Sequence, residues 1–247
     1  MSHTATHTGA RSAPYSIPRH VHLCETNGQI VFLDLRRDRY LAISFAERAS
    51  LLGRVRGWRE AEVPAHGAYD SASEEALKTM LKHGLLTVDS RRGKAAASPS
   101  VEPVHGVLVT DDYDLHIPSV TGYAARFLIA CTRAQLALRL RSLERVVNSV
   151  QRRKKRAWNI APLSLDRERE LVATFLRLRP LAYTARDACL FDSLALLTFL
   201  AMHGSFPTWV IGVATTPFAA HSWIQRCGFV FNGDAEYVRQ FKPILCV

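Results

Sequence analysis

Three residues in the last third of the chain have types and an order that suit thiol chemistry: Cys189, His221 32 residues later, and Asp234 13 residues further on. A nucleophilic thiol needs a base to take its proton, and the base needs a third group to fix its tautomer and support its charged form. Cys189 lies at the start of an apolar run from Asp187 to His203 that reads as a helix closed by Gly204, with Thr184 or Asp187 as its cap. The sulfur would then sit near unpaired backbone N–H groups and the positive end of the helix dipole, a position that favours an anion. His221 opens a strand, His221 to Cys227, and Phe229 to Asn232 returns as another after the tight turn at Cys227-Gly228, bringing Asp234 back beside the histidine. His221 would take the thiol proton and later protonate a leaving amine, with Asp234 orienting the ring. Asn232 and Asp192 are the next candidates for the orienting role. A lone cysteine in an apolar helix packs more often than it reacts, and a lone histidine is more often a satisfied polar residue. The three together, in catalytic order and at spacings a helix and a hairpin can close, are what point to chemistry.

The elements that must position these residues fall into two groups. His20 to Cys24, Gln29 to Leu35 and Arg39 to Ile43 are short, β-branched or aromatic runs separated by turn residues, which predicts a three-strand antiparallel meander. Ser44 is placed to cap a helix from Phe45 to Val55. Ser73 starts another, with Leu77, Met80, Leu81 and Leu85 at helical spacing and Gly84 as its stop. Ser90 to Pro103 lacks an apolar face and reads as a semi-extended linker. Val104 to Leu115 gives one or two weak strands or none, Tyr123 to Val150 one long helix or two broken near Thr132, Leu165 to Leu178 a further helix, and Thr208 to Ala214 a buried strand. The predicted class is α+β, a small winged-helix-like unit of three strands plus helices followed by a larger catalytic unit. Residues 1–16 are expected to be a disordered arm, 17–90 the first domain, 91–103 the linker and 104–247 the second domain, with a separate core on each side.

Composition narrows the class. The 247 residues are 48% hydrophobic and carry 32 Lys and Arg against 22 Asp and Glu, a net charge of +10. This excludes collagenous, acidic-disordered and disulfide-dense chains. Residues 1–20 lack the apolar core of a secretory signal, and arginines interrupt every window long enough to span a bilayer. The five scattered cysteines contain no C-x-x-C pair, so no metal or cofactor site is expected, and they suit a reducing cytoplasm. Cys131 reads as helix core and Cys24 as strand core.

Ala188-Cys-Leu-Phe-Asp-Ser-Leu-Ala-Leu196, Trp209-Val-Ile-Gly-Val213, Ala220-His-Ser-Trp223 and Asn232-Gly-Asp234 resemble the transglutaminase-like cysteine protease domain of lasso-peptide maturation proteins of the McjB type. That family usually shows Ala-His-Ala-Trp, from which Ser222 departs, but on a strand the residue after the histidine points away from the triad. The resemblance implies a papain/transglutaminase-like fold with Cys189 as nucleophile, His221 as base and Asp234 as orienter. Trp223, on the same strand face as His221, becomes a wall of the site or simply core. Val21-His-Leu23, Ile30-Val-Phe-Leu-Asp34, Arg39-Tyr40, Leu41 to Phe45 and Leu81-x-x-Gly84-Leu-Leu86 resemble the small PqqD-like leader-recognition domain of peptide-modifying enzymes.

Together these resemblances imply a leader peptidase of a ribosomally made precursor peptide. The leader would add as a strand to the edge at Arg39 to Ile43 and lie against Glu74 to His83. Tyr40, Leu41, Ile43, Leu77 and Met80 are the binding candidates, though each could be core. The implied partners are the precursor and an asparagine-synthetase-like, ATP-dependent macrolactam synthetase, and the protease itself would need no cofactor. The competing reading is a leader-binding or nucleic-acid-binding adaptor with an inactive protease-like domain, against which the intact Cys189, His221 and Asp234 argue. The basic run Arg152 to Arg156 admits nucleic acid, yet a solvated cationic helix end is the favoured account, and the acidic Glu74-Glu75 lies where phosphate contacts would fall, so no nucleic acid is expected. An acidic leader or the partner enzyme is a third occupant for that patch.

Overall fold

The computed structural model describes residues 14–45, 47, 54–58, 71–110, 120–184 and 188–247. In chain order the first part contains β1 (Ile17–Pro18), β2 (Val21–Thr26), β3 (Gln29–Asp34), β4 (Arg39–Ser44), α1 (Ser71–Lys82) and β5 (Gly93–Lys94). β2, β3 and β4 form the expected meander, with Ile30 opposite Ile43 and Phe32 opposite Leu41. Asn27 and Gly28, both at positive φ, make the first hairpin turn. At the second, the buried Asp34 carboxylate accepts the backbone N–H groups of Arg36 and Arg37 at 3.0 and 3.3 Å.

β3 shows no polar alternation because both its faces are covered. Ile30 and Phe32 join Val21, Leu23, Leu77 and Met80 in a core beneath α1. Val31 and Leu33, with Cys24 and Leu35, belong instead to the core of the second part of the chain. Two separate cores are therefore not what forms, because one core runs across the expected boundary.

The second part contains β6 (Gly106–Val107), α2 (Val120–Leu140), α3 (Leu143–Arg156), α4 (Leu165–Leu178) with a 3-10 turn at Arg179–Leu181, α5 (Cys189–Ala201), β7 (Thr208–Thr215), β8 (Phe218–Arg226), β9 (Phe229–Val230), α6 (Ala235–Arg239) and β10 (Lys242–Cys246). Its sheet runs β10-β7-β8-β9-β6, with β6 parallel to β9 and the other pairs antiparallel. α5 is apolar all round because α2 and α4 pack on it from one side and β8 from the other. β10 carries the first sheet against its outer side, touching β2 and β3.

The break in the long helical run falls at Arg141-Ser142, nine and ten residues beyond Thr132. Ala130 and Ala134, both buried, let α2 stay straight and close to α5 through that region, and the turn comes only where Leu143, Val146 and Val150 must enter the core. Residues 91–103 are not a free linker: Gly93–Lys94 pairs with β1, Ala96 N donates to Arg56 O at 2.7 Å, and Glu102 O accepts from Gln225 Nε2 at 2.8 Å. The end of the expected arm is also tied down, since Tyr15 and Ser16 bridge to Val55 and Thr87. The helix expected over Phe45 to Val55 lies mostly outside the described residues, but its cap is in place: Ser44 Oγ accepts from Glu47 N while Glu47 Oε2 accepts from Ser44 N at 2.7 Å. Among the described residues, no helix is long and apolar enough to cross a membrane.

Candidate active site

Cys189 is the first residue of α5 and is half-buried. The cap residue is Ala188, which offers no side-chain acceptor; Thr184 does not cap the helix, and Asp187 lies outside the described residues. The first-turn N–H groups of α5 are thus left for another acceptor. Burial acts on three of the other four thiols, Cys227 being exposed. It pushes Cys24 up to about 12, Cys131 up to about 11 and Cys246 up to about 11, so all three stay protonated and unreactive near neutrality. Cys24 sits in the strand core and Cys131 packs against the helical core.

His221 lies on β8, opposite Gly212 of β7. Trp223 stacks on its ring at 6.1 Å, while Tyr237 and Phe241 close the other sides at 5.1 and 5.3 Å. This apolar setting lowers the histidine's pKa below 6.5, and the Asp192 carboxylate partly opposes the shift. The ring is therefore neutral at pH 7 and able to accept a proton. Its Nε2 is buried without a hydrogen-bond partner, and a Cβ placed on Gly233 would lie 3.9 Å from that nitrogen. Ser222, by contrast, turns to the opposite face and accepts from Trp209 Nε1 at 2.8 Å, so its departure from alanine serves the core and leaves the site alone.

One turn into α5, buried Asp192 anchors a polar network. Its Oδ1 accepts from Tyr183 OH at 2.8 Å and its Oδ2 from Asn232 Nδ2 at 2.7 Å, with Arg179 Nη1 at 3.5 Å. Asn232 also donates to Ser193 Oγ and accepts from Ile224 N at 2.8 Å, tying α5 to β8 through the segment that leads to Asp234. Tyr183 and Arg179 were not legible as site residues. The available signal was Asp192 itself, a carboxylate inside an apolar helix that burial obliges to find partners.

Asp234 takes another position than expected. Its carboxylate caps α6, accepting from Tyr237 N at 2.7 Å, and makes no hydrogen bond to His221. That cap fixes the short helix whose Tyr237, together with Phe241 just beyond it, walls in the imidazole.

The first sheet reaches the site. Tyr40 of β4 packs on Phe218 of β8 at 5.4 Å; burial, with smaller contributions from Asp38 and Cys189, pushes its hydroxyl up to about 12. Leu41 and Ile43 face the other way, half-buried against the α1 core. Leu77 and Met80 are fully inside that core at 2% and 3% exposure, so they hold α1 to the sheet and leave no apolar surface for a ligand. Trp223, at 1% exposure, donates to Gln225 Oε1 at 2.7 Å and acts as a backing for His221 within the core. Among the described residues, no cluster of three His, Cys, Asp or Glu could hold a metal ion.

Comparison with known families places this half of the chain. The model of the transglutaminase-like superfamily matches residues 129–246, a span that takes in α5, the β7–β8 hairpin and α6. This part of the chain is a transglutaminase-like domain. No curated protein and no solved structure gives a significant match.

Proposed function

We propose that the chain is a cysteine peptidase that binds the leader of a ribosomally made precursor peptide and cuts it from the core, in the manner of the lasso-peptide maturation proteins it resembles. The superfamily includes cysteine peptidases and transglutaminases, and the observation that carries the hydrolytic reading is the neutral His221, whose Nε2 is buried and unpartnered, in a domain that also holds a thiol at a helix start. A buried nitrogen without a partner is costly unless the reactive state supplies one. Asp234, next in chain to Gly233, is the carboxylate placed to do so once it leaves the α6 cap, and hydrogen bonds of this kind often tighten only with substrate bound.

In the proposed mechanism His221 Nδ1 takes the Cys189 proton and the thiolate attacks the scissile carbonyl. The backbone N–H of Cys189 stabilises the oxyanion. Collapse expels the amine of the core peptide, which takes the proton from His221. Water, deprotonated by the same histidine, then releases the leader carboxylate and regenerates the thiol. Asp192 supports the imidazolium through space, consistent with its effect on the His221 pKa.

The leader is proposed to add to the outer edge of β4, which pairs only with β3 among the described residues. An added strand running past Tyr40 would pass directly from that edge to the thiol, so binding and cutting share one surface. The test is to incubate the full chain with the precursor and the synthetase and to weigh the products. Hydrolysis gives leader and linear core masses that sum to the precursor plus one water, and closure of the core by the synthetase removes that water again. A product in which the leader is joined to an amine would reassign the same thiol to acyl transfer.

A further inference from the structure

α2, α3 and the side of α5 facing away from β8 enclose a groove of about 590 Å³. Its floor is apolar, formed by Val146, Val150, Leu194 and Met202, and its lip carries Leu136 and Leu140 at 50% and 73% exposure. Arg133, Arg141 and Arg153 stand around it. A second hollow of about 240 Å³ continues the basic surface past Arg152 and Arg156. No acidic side chain lines either one, and none of Arg133, Arg141 or Arg153 has a carboxylate partner among the described residues. Arg153 is half-buried close to Arg133, and both burial and the Arg133 charge disfavour its cationic form. Two unneutralised guanidinium groups at the wall of an apolar trough make a site that an anion would complete.

We propose that this groove docks an amphipathic helix of a protein partner, with an apolar stripe on the floor and Glu or Asp side chains on the three arginines. Leu136 and Leu140 on the exposed lip stand four residues apart, one helical turn, so they offer a ridge that matches the i, i+4 ridges of a docking helix. Nucleic acid suits the groove less well, because no aromatic side chain lines it for base stacking and its floor offers nothing to a phosphate. A second copy suits it less well too, since two chains of net charge +10 repel. The groove lies on the far side of α5 from the β8 histidine, so an occupant would leave the β4 edge open to a leader.

The test uses the full chain and a fluorescein-labelled, 20-residue designed helix with a leucine stripe flanked by glutamates. A lysine-flanked version, oligo-dT of 20 nucleotides and the unlabelled chain alone are the controls. The glutamate helix is expected to bind saturably by anisotropy. Arg133→Glu, an exposed change, should weaken it tenfold or more with the circular dichroism spectrum unchanged, and Arg133→Glu with Arg153→Glu should transfer preference to the lysine helix. Leu140→Ser should weaken both. The proposal is overturned if the glutamate helix does not bind, binds Arg133→Glu equally, or is matched by the lysine helix on the wild-type chain. Tighter binding of oligo-dT, or a dimer of the chain alone that Leu140→Ser dissolves, also overturns it.

Discussion

Gly212→Ala adds one methyl group at the back of His221, the proposed general base. Gly212 pairs with His221 across the β7–β8 ladder, and its missing side chain is the space into which Trp223 leans. A Cβ there would stand 2.8 Å from two atoms of the Trp223 six-membered ring and 2.9 Å from Phe241 Cβ, roughly 1 Å inside ordinary carbon contact. Neither neighbour yields easily, because Trp223 is buried and tethered to Gln225, and both pack on the His221 ring. Overpacking of this kind costs about 1–3 kcal/mol. In a chain of this size that is a fall in Tm of about 2–12 °C. The same displacement moves the imidazole, and a shift of about 1 Å in a catalytic group can cost about 100-fold in rate. Thermal melting and kcat/KM for leader removal read the two effects separately. Trp223→Phe removes the clashing ring atoms, so the double variant Gly212→Ala/Trp223→Phe should recover part of the loss beyond the sum of the single changes. A Gly212→Ala protein with unchanged melting and unchanged kcat/KM, or additivity in the cycle, would refute the packing of Trp223 as the device that places His221.

Asp234→Asn keeps a competent cap on α6, so Tm should hold within about 0.5 kcal/mol equivalent, while kcat falls strongly if the carboxylate must reach His221 Nε2. Unchanged kcat would confine Asp234 to capping. Asp192→Asn removes the charge that holds the His221 pKa up, so the acidic limb of kcat/KM should move to lower pH; a limb that stays in place removes Asp192 from the electrostatics of the site. The fold responds to the same group. His221 is below 6.5 in the folded chain, so the unfolded chain binds the proton more readily, and stability should be full above 6.5 and decline as pH falls below it. Leu33→Ala opens the core shared by the two parts and should cost about 2–5 kcal/mol in one cooperative melting transition. Two resolved transitions would contradict the shared core.

The strands of the first sheet and the helix over 165–178 were legible because turn residues and periodicity spoke with one voice there: Asn27-Gly28 and Cys227-Gly228 both take positive φ. The docking of the two parts was not legible. Val31 and Leu33 lie in a strand run in which nothing local shows that their face is covered by β10, which was itself unrecognised in Lys242 to Cys246. Leu77 and Met80 failed as ligand contacts for the same reason, since helical spacing identifies an apolar face without saying what covers it. In the site, the order of Cys189, His221 and Asp234 was readable from spacing. The Asp192–Asn232–Tyr183 network was not, because long-range partners of a buried carboxylate leave no periodic trace.

The Cys189 thiol is proposed to cut a bound leader. Cys189→Ala, presented with the precursor and the synthetase, should leave the precursor at its full mass while the variant binds the leader with wild-type affinity, since the β4 edge is untouched. Release of leader and core by the alanine variant at the wild-type rate would contradict the account.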